Sequence, residues 1–290
     1  MFAVTGATEK VGGAVVRTLL ARGQSVRIIV RDVRKAETWS ARGCEIAIAD
    51  SRDSAALAEA FAGVEGAFVM LPPIFDPAPG FPEASEMIAA LRSSLLKAKP
   101  AKIIVLSTIG AAAPKSNLLN QLGLLENGLG DLPMPATFLR AAWFMENAAA
   151  DVATARKTGV VASYLQPLEK PFPMVATQDV GRVAAELLLE NWSGNQVVEL
   201  EGPRRLSPGD LAEALAKALC GPVRAKAVAR ERWQSLFHEQ GMQHPLPRMQ
   251  MLDGFNAGWI EFDQHGVPPR KGTVTIDQAV ATLVGKESWQ

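Results

Sequence analysis

Short apolar runs alternate with segments of helical period through the first half of the chain, and a glycine-rich turn joins the first run to the first helix. Together these features predict an α/β protein, a doubly wound parallel sheet covered by helices. At 290 residues the chain exceeds a usual single core, which predicts one large domain with a smaller lobe. The last seventy residues leave the strand–helix alternation and carry four prolines between Pro245 and Pro269, so they belong to the lobe. The expected division is a core of residues 1–157, with 175–200 returning to it, and a smaller C-terminal lobe of residues 158–174 and 201–290.

Phe2 to Thr5 reads as the first strand. Val11, Ala14, Val15 and Leu19 then fall at helical spacing, with Val16 and Leu20 widening the stripe, and Gly23 stops this helix after Arg22. Ser25–Val30, Glu45–Ala49 and Gly66–Leu71 have the β-branched or apolar character of further strands. Ser54–Phe61 is an Ala-rich helix with Asp53 or Ser54 as its cap. Pro72, Pro73, Pro77, Pro79 and Pro82 then define a stiff loop. Following a strand on the ligand-binding side of such a sheet, it reads as the wall or lid of a site, against a plain surface connector.

Lys102–Leu106, ended by Ser107-Thr108, and Ala136–Leu139 continue the strands, and a helix is expected from Phe144 to Arg156. Gln196–Leu200 is another strand. Ser207-Pro208-Gly209-Asp210 opens a helix with a capping serine and a proline at its first position, which runs to Leu219 before Gly221-Pro222 stops it.

Thirty basic and thirty acidic side chains give a formal charge of zero, so no overall field gathers nucleic acid or an anionic membrane. Cys44 and Cys220 are far apart and outside any CxxC pair, which suits a reducing compartment and small buried side chains. His238, His244 and His265 lack the spacing of metal ligands, so no metal is expected. No uncharged apolar run approaches the roughly 20 residues that span a bilayer, and the N-terminus reaches a glycine turn too soon for a signal peptide. The expected location is cytoplasmic.

The turn Thr5-Gly6-Ala7-Thr8-Glu9-Lys10-Val11-Gly12-Gly13 lies where main-chain amides and the positive helix end receive a diphosphate. Gly6 makes the bend, Gly12 lets helix and strand approach, and Thr8, Glu9, Lys10 and Val11 complete the cradle. The second strand ends Val30-Arg31-Asp32, with Arg31 where proteins that prefer NAD place an acid against the ribose. A guanidinium there suits a 2′-phosphate, so NADP(H) is expected over NAD(H); Arg34 and Lys35 either assist or form a solvated helix start. Asp50 faces either the adenine amino group or the start of the next helix as its cap. Leu71 and Pro72 are expected beside the cofactor.

These residues resemble the NmrA-like family of atypical short-chain dehydrogenases/reductases. The likeness rests on Thr5-Gly6-Ala7-Thr8 with Gly12, Val30-Arg31-Asp32, Leu106-Ser107-Thr108, the run Leu139–Asn147, and Gln178–Ala185. It implies a Rossmann core, NADPH at the glycine turn, and a C-terminal lobe closing a substrate cleft. It also implies either quinone reductase activity or dinucleotide sensing without turnover. Two departures stand out. Glu9 replaces the family's third glycine, adding a negative charge beside the diphosphate and weakening its binding. The Tyr-x-x-x-Lys pair is absent: Tyr164 is followed four residues on by Leu168, and Leu122 precedes Glu126 where some relatives carry a proton donor.

Without a dedicated acid, the expected chemistry is hydride transfer to a quinone-like or other conjugated carbonyl acceptor, which works through orientation because water can supply the proton. Ser107 and Thr108 are the candidates for contact with the nicotinamide ribose or the acceptor. Pro73, Phe75, Trp143, Phe144 and Asn147 are expected to line the acceptor pocket, although core packing suits Phe144 equally and a loop-pinning role suits Asn147. Arg140 is expected to pair with a carboxylate. The alternative is a non-catalytic NADP-binding redox sensor that meets a protein partner.

Overall fold

The structure, a computed structural model, describes residues 1–263 and 267–287. Helices and strands follow in the order β1 (Phe2–Thr5), α1 (Lys10–Ala21), β2 (Val26–Val30), α2 (Glu37–Ser40), β3 (Glu45–Ile48), α3 (Ser54–Phe61), β4 (Gly66–Val69) and α4 (Pro82–Ala98). Next come β5 (Lys102–Thr108), α5 (Asn120–Leu129), β6 (Ala136–Ala141), β7 (Trp143–Phe144), α6 (Ala149–Thr158), β8 (Val160–Ser163), β9 (Met174–Val175), α7 (Thr177–Leu189) and β10 (Gln196–Glu201). The chain continues with α8 (Pro208–Leu219), β11 (Arg224–Ala227), α9 (Trp233–Glu239), α10 (Leu246–Ala257), β12 (Arg270–Lys271) and α11 (Ile276–Glu287).

Eight strands form one parallel sheet in the order β12-β10-β6-β5-β4-β1-β2-β3. Alternate side chains of each strand enter opposite cores. Phe2, Val4, Ile28, Phe68 and Ile104 face the layer of α1 and α7, whereas Ala3, Ile29, Ala67, Val69 and Ile103 face that of α3, α4 and α5. The doubly wound architecture is therefore as expected, and the strand order reverses between β1 and β4, where such sheets bind ligands. The Thr5 hydroxyl ties the two strands at that point, accepting from Met70 N at 2.9 Å.

Several boundaries differ from the sequence reading. Helix α4 is absent from that reading because Pro82 counts there as a loop residue, but it stands at the first turn, where a missing N–H costs nothing. Strand β5 extends through Ser107 and Thr108, which pair with Arg140 and Ala141. The helix expected from Phe144 is displaced. Trp143 and Phe144 pair with β9, a 3₁₀ turn spans Met145–Ala148, and α6 follows. Asp53, not Ser54 or Asp50, caps α3, accepting from Ala55 N and Ala56 N. The Ser207 capping box on α8 forms as expected.

In the C-terminal part, β8 and β11 make a two-stranded sheet beside α8, and Tyr164 packs on Trp233 and Phe237. Residues 270–271, assigned to the lobe from sequence, instead extend the large sheet at β10. Cys44 is buried as expected, but Cys220 is exposed, because it occupies the left-handed cap of α8.

Candidate functional site

The glycine turn bends at Gly6, whose φ is +65°, and closes with Glu9 N–H donating to the Gly6 carbonyl at 2.9 Å. A Cβ on Gly12 would stand 2.2 Å from that carbonyl oxygen, so only glycine lets α1 approach the turn this closely. Gly13 N–H is claimed by Glu9 O at 2.9 Å, but the amides of Lys10, Val11 and Gly12 precede any intrahelical acceptor. Glu9 is the N-cap residue, and its side chain makes no capping bond. The helix therefore presents an uncapped positive end, the arrangement that receives a diphosphate. Its backbone at φ −91°, ψ 166° is ordinary for any residue, and its carboxylate is exposed.

A cleft of about 820 Å³ runs from this turn along α1. Thr8, Glu9 and Lys10 stand at one end, with Gly13, Arg17, Lys35, Trp39 and Arg42 along it, and α11 forms the facing wall through Gln278 and Thr282. Of the basic residues named from sequence, Lys10 and Lys35 border this space. Arg34 does not serve: its guanidinium holds the Asp32 carboxylate through Nε and Nη2, at 3.0 and 2.7 Å. The Arg34 guanidinium is the counter-charge of Asp32, and its hydrogen bonds hold the Asp32 carboxyl below its ordinary range. Arg31 is exposed at the end of β2. The Asp50 carboxylate accepts from Arg52 N at 2.9 Å in a local turn, so the capping alternative is set aside. Leu71 is buried and Pro72 half-buried beyond β4.

At the ends of β5 and β6 the polar groups are paired with one another. Ser107, buried, donates its hydroxyl proton to Glu126 Oε1 at 2.5 Å. Arg140 grips the same carboxylate through Nε at 2.9 Å and Nη2 at 2.7 Å, and its Nη1 reaches Asp263 Oδ2 at 2.5 Å. These bonds, chiefly those to Glu126, raise the Arg140 guanidinium above its usual range despite burial. The expected carboxylate partner of Arg140 is thus Glu126, with Asp263 added from the segment after α10. Thr108 is half-buried beside this network.

The proline loop is fixed at two points. Gln121 donates to Ile74 O at 3.2 Å, and the Asp76 carboxylate accepts from Gln243 N and His244 N at 2.7 Å each. Those amides, that of Gln243 foremost, hold the Asp76 carboxyl below its ordinary range. Between the anchors Phe75 is 65% exposed, and Pro73 is exposed too. Trp143 meets Phe255 edge-on at 5.4 Å, with Phe144 half-buried next to it. Asn147 is exposed and its side chain makes no hydrogen bond among the described residues, so it pins no loop. His238 contacts Met242 O at 2.9 Å, and His265 lies outside the described residues. Among the described residues no cluster suited to a metal ion is found, and no helix is long and apolar enough to cross a membrane.

Sequence reasoning missed Arg17, Trp39, Arg42, Asp263 and Asp76, and named Glu126 only for the donor absent four residues before it. For Arg17 a signal exists: Lys10, Gly13 and Arg17 recur at helical spacing on one face. For Asp76 and Asp263 no local pattern betrays a partner more than a hundred residues away.

Comparison with known proteins places this geometry. The NmrA-like family model matches residues 1–281. An NAD(P)H azoreductase of Xenophilus azovorans is 30% identical over 249 residues, covering 85% of this chain and 83% of the relative. Quinone oxidoreductase 2 of Escherichia coli K12 is 28% identical over 219 residues, covering 75% and 74%. Among solved structures, the NADPH complex of an Escherichia coli NADPH-dependent quinone oxidoreductase superposes with a TM-score of 0.80 at 23% identity, covering 98% of this chain and 99% of that one. The NADP(H) complex of a Citrobacter sp. triphenylmethane reductase gives 0.78 at 21% identity, covering 97% and 99%. With its uncapped turn, its reversed strand order and a match that spans nearly its whole length, the chain belongs to the NmrA-like family.

Proposed function

We propose that the protein is an NAD(P)H-dependent oxidoreductase, with NADPH preferred, that reduces a flat conjugated acceptor of the quinone class. The observation that carries the cofactor reading is the uncapped N-terminus of α1 behind Gly6 and Gly12, which leaves three amides for a diphosphate. The cations lining the adjoining cleft suit the further phosphate of NADPH. The family relatives, an azoreductase and a quinone oxidoreductase among them, support the same class of reaction.

The cofactor, when bound, supplies the hydride. The chain's own part is orientation. Because Ser107 gives its proton to Glu126, its oxygen is left to accept a hydrogen bond and not to protonate the acceptor. Arg140 keeps Glu126 in place for this. Among the described residues Ser107 and Glu126 are already paired with each other, which suits a conjugated substrate whose reduced form takes its proton from water. Trp143, Phe144 and the exposed Phe75 offer aromatic surface for such a ring system.

The test is loss of NADPH absorbance over a panel of quinones and azo compounds. Turnover of at least one conjugated acceptor, with simple ketones inert, is expected. One feature favours a second reading, a dinucleotide sensor that does not turn over: the Glu9 carboxylate at the mouth of the diphosphate cradle. Tight NADPH binding without oxidation of the cofactor across the whole panel would select that reading.

A further inference from the structure

We propose that Arg248, with the Tyr164 hydroxyl, forms an anion subsite in the C-terminal lobe that holds a carboxylate carried by the acceptor. This role rests on the reading that the protein reduces a flat conjugated acceptor, and it narrows that class to acceptors bearing an acidic group.

Of the arginines that are at least half-buried, Arg27, Arg92, Arg140, Arg182, Arg205 and Arg230 each hold a carboxylate. Arg248 is the exception among the described residues. Its guanidinium donates only from Nη1 to Met242 Sδ at 3.5 Å, and a thioether is a weak acceptor. Burial lowers Arg248 from its ordinary range, and only Tyr164 opposes the shift. Arg17 and Arg31 also hold no carboxylate, but they are exposed, so water meets their donors. A partly buried cation without a counter-ion is where an incoming anion gains most.

The surroundings of Arg248 suit a carboxylate. Its Cζ lies 4.5 Å over the Phe237 ring, and the Tyr164 ring packs 5.0 Å from that same ring. A guanidinium held over an aromatic face keeps its N–H groups in its own plane, from which two parallel bonds grip a carboxylate. Asn256 fixes the Tyr164 carbonyl at 2.9 Å, while the Tyr164 hydroxyl makes no hydrogen bond among the described residues and adds a further donor. The nearest acids in sequence are spent elsewhere: Asp76, brought here by the fold, on the amides of Gln243 and His244, and Asp253 on Arg230.

The first turn of α10, which carries Arg248, is the part of the lobe pinned to the core. Leu118 N–H donates to Pro247 O at 2.9 Å, and Asp76 ties the proline loop to the residues just before the helix. Two turns along α10, on the same face as Arg248, Phe255 meets Trp143 edge-on at 5.4 Å. The rise over those two turns is about 10 Å, the length of an acceptor of two linked rings that rests on Trp143 with its terminal carboxylate at Arg248.

The experiment compares matched acceptors by NADPH oxidation: azobenzene-4-carboxylate against azobenzene-4-carboxamide, and 2-(4-carboxyphenyl)-1,4-benzoquinone against 2-phenyl-1,4-benzoquinone. For the wild-type protein the acid of each pair should have a KM lower by roughly tenfold or more, with kcat within about threefold. Arg248→Gln should erase that preference through KM, Arg248→Lys should keep part of it, and Tyr164→Phe should lose about threefold. Matching thermal melts and NADPH affinities of the variants establish that fold and cofactor site are intact. A wild-type KM no lower for the acids, or a preference that survives Arg248→Gln, would overturn the subsite while leaving the reductase reading standing. Calorimetry with azobenzene-4-carboxylate in the presence of NADP+ separates the two readings. Binding that Arg248→Gln weakens by roughly tenfold supports the subsite even where no acceptor is turned over, and binding indifferent to Arg248→Gln overturns it.

Discussion

The two ends of the ligand-binding edge handle their polar groups in opposite ways. At the glycine turn, the first amides of α1 have no intrahelical acceptor, and among the described residues Arg17 and Lys35 of the adjoining cleft hold no carboxylate. At the ends of β5 and β6, Ser107, Glu126, Arg140 and Asp263 satisfy one another within 3 Å. Unspent donors on a preformed scaffold are a binding site in waiting, because a ligand gains their hydrogen bonds without breaking others. A closed network is a rigid wall: it shapes what lies beside it and holds its residues in one rotamer. On the proposed function, one end of this edge binds the dinucleotide through charge and the other meets the acceptor through shape.

The sharpest way to break the comparison is at the turn itself. Gly12→Ala forces a Cβ into the Gly6 carbonyl, and we expect NADPH affinity to fall at least a hundredfold by fluorescence titration, with some loss of stability. At the closed end, Arg140→Ala leaves the Glu126 carboxylate half-encased and uncompensated, which should cost about 3–5 kcal/mol in urea unfolding. NADPH affinity should change less than threefold in that variant, since the network lies apart from the basic cleft.

A carboxyl outside both regions provides a third test. Desolvation on α6 pushes Asp151 up to about 6 from 3.8, so the folded protein holds a proton that the unfolded chain releases at lower pH. The contribution of Asp151 to stability is therefore greatest below the unfolded value and declines as pH rises through about 6. Asp151→Asn should raise stability at pH 7 by up to about 3 kcal/mol and flatten that part of the pH profile in calorimetric melts.

Glu9→Gly removes the exposed charge at the cradle and should tighten NADPH binding about fivefold, the effect of about 1 kcal/mol for a like charge near ~4 Å in water. A modest effect is also expected for Ser107→Ala. With its proton already given to Glu126, the serine orients and does not protonate, so kcat for a quinone should stay within about tenfold, whereas a general acid would cost roughly 10²–10⁴.

Local physics made the first region legible in the sequence. A strand, a bend and a helix that touch in sequence also touch in space, so the bend at Gly6 and the close approach at Gly12 were legible from pattern alone. The second region depends on partners far apart along the chain: Arg140 and Asp263 are separated by 123 positions, and Asp76 and His244 by 168. No periodicity encodes such pairs. Proline was over-read as a breaker at Pro82, where the start of α4 tolerates it. Arg34, read from sequence as either an aid to the phosphate or a solvated helix start, closes on Asp32, which sequence proximity alone does not reveal.

The central claim, that the open end of α1 and its neighbouring cations receive a nicotinamide dinucleotide bearing a 2′-phosphate, is tested most directly by calorimetry of the wild-type protein with NADPH and NADH in parallel. The account predicts a single site per chain with NADPH bound at least tenfold more tightly. Equal affinity for the two, or no heat from either at millimolar concentration, would contradict it.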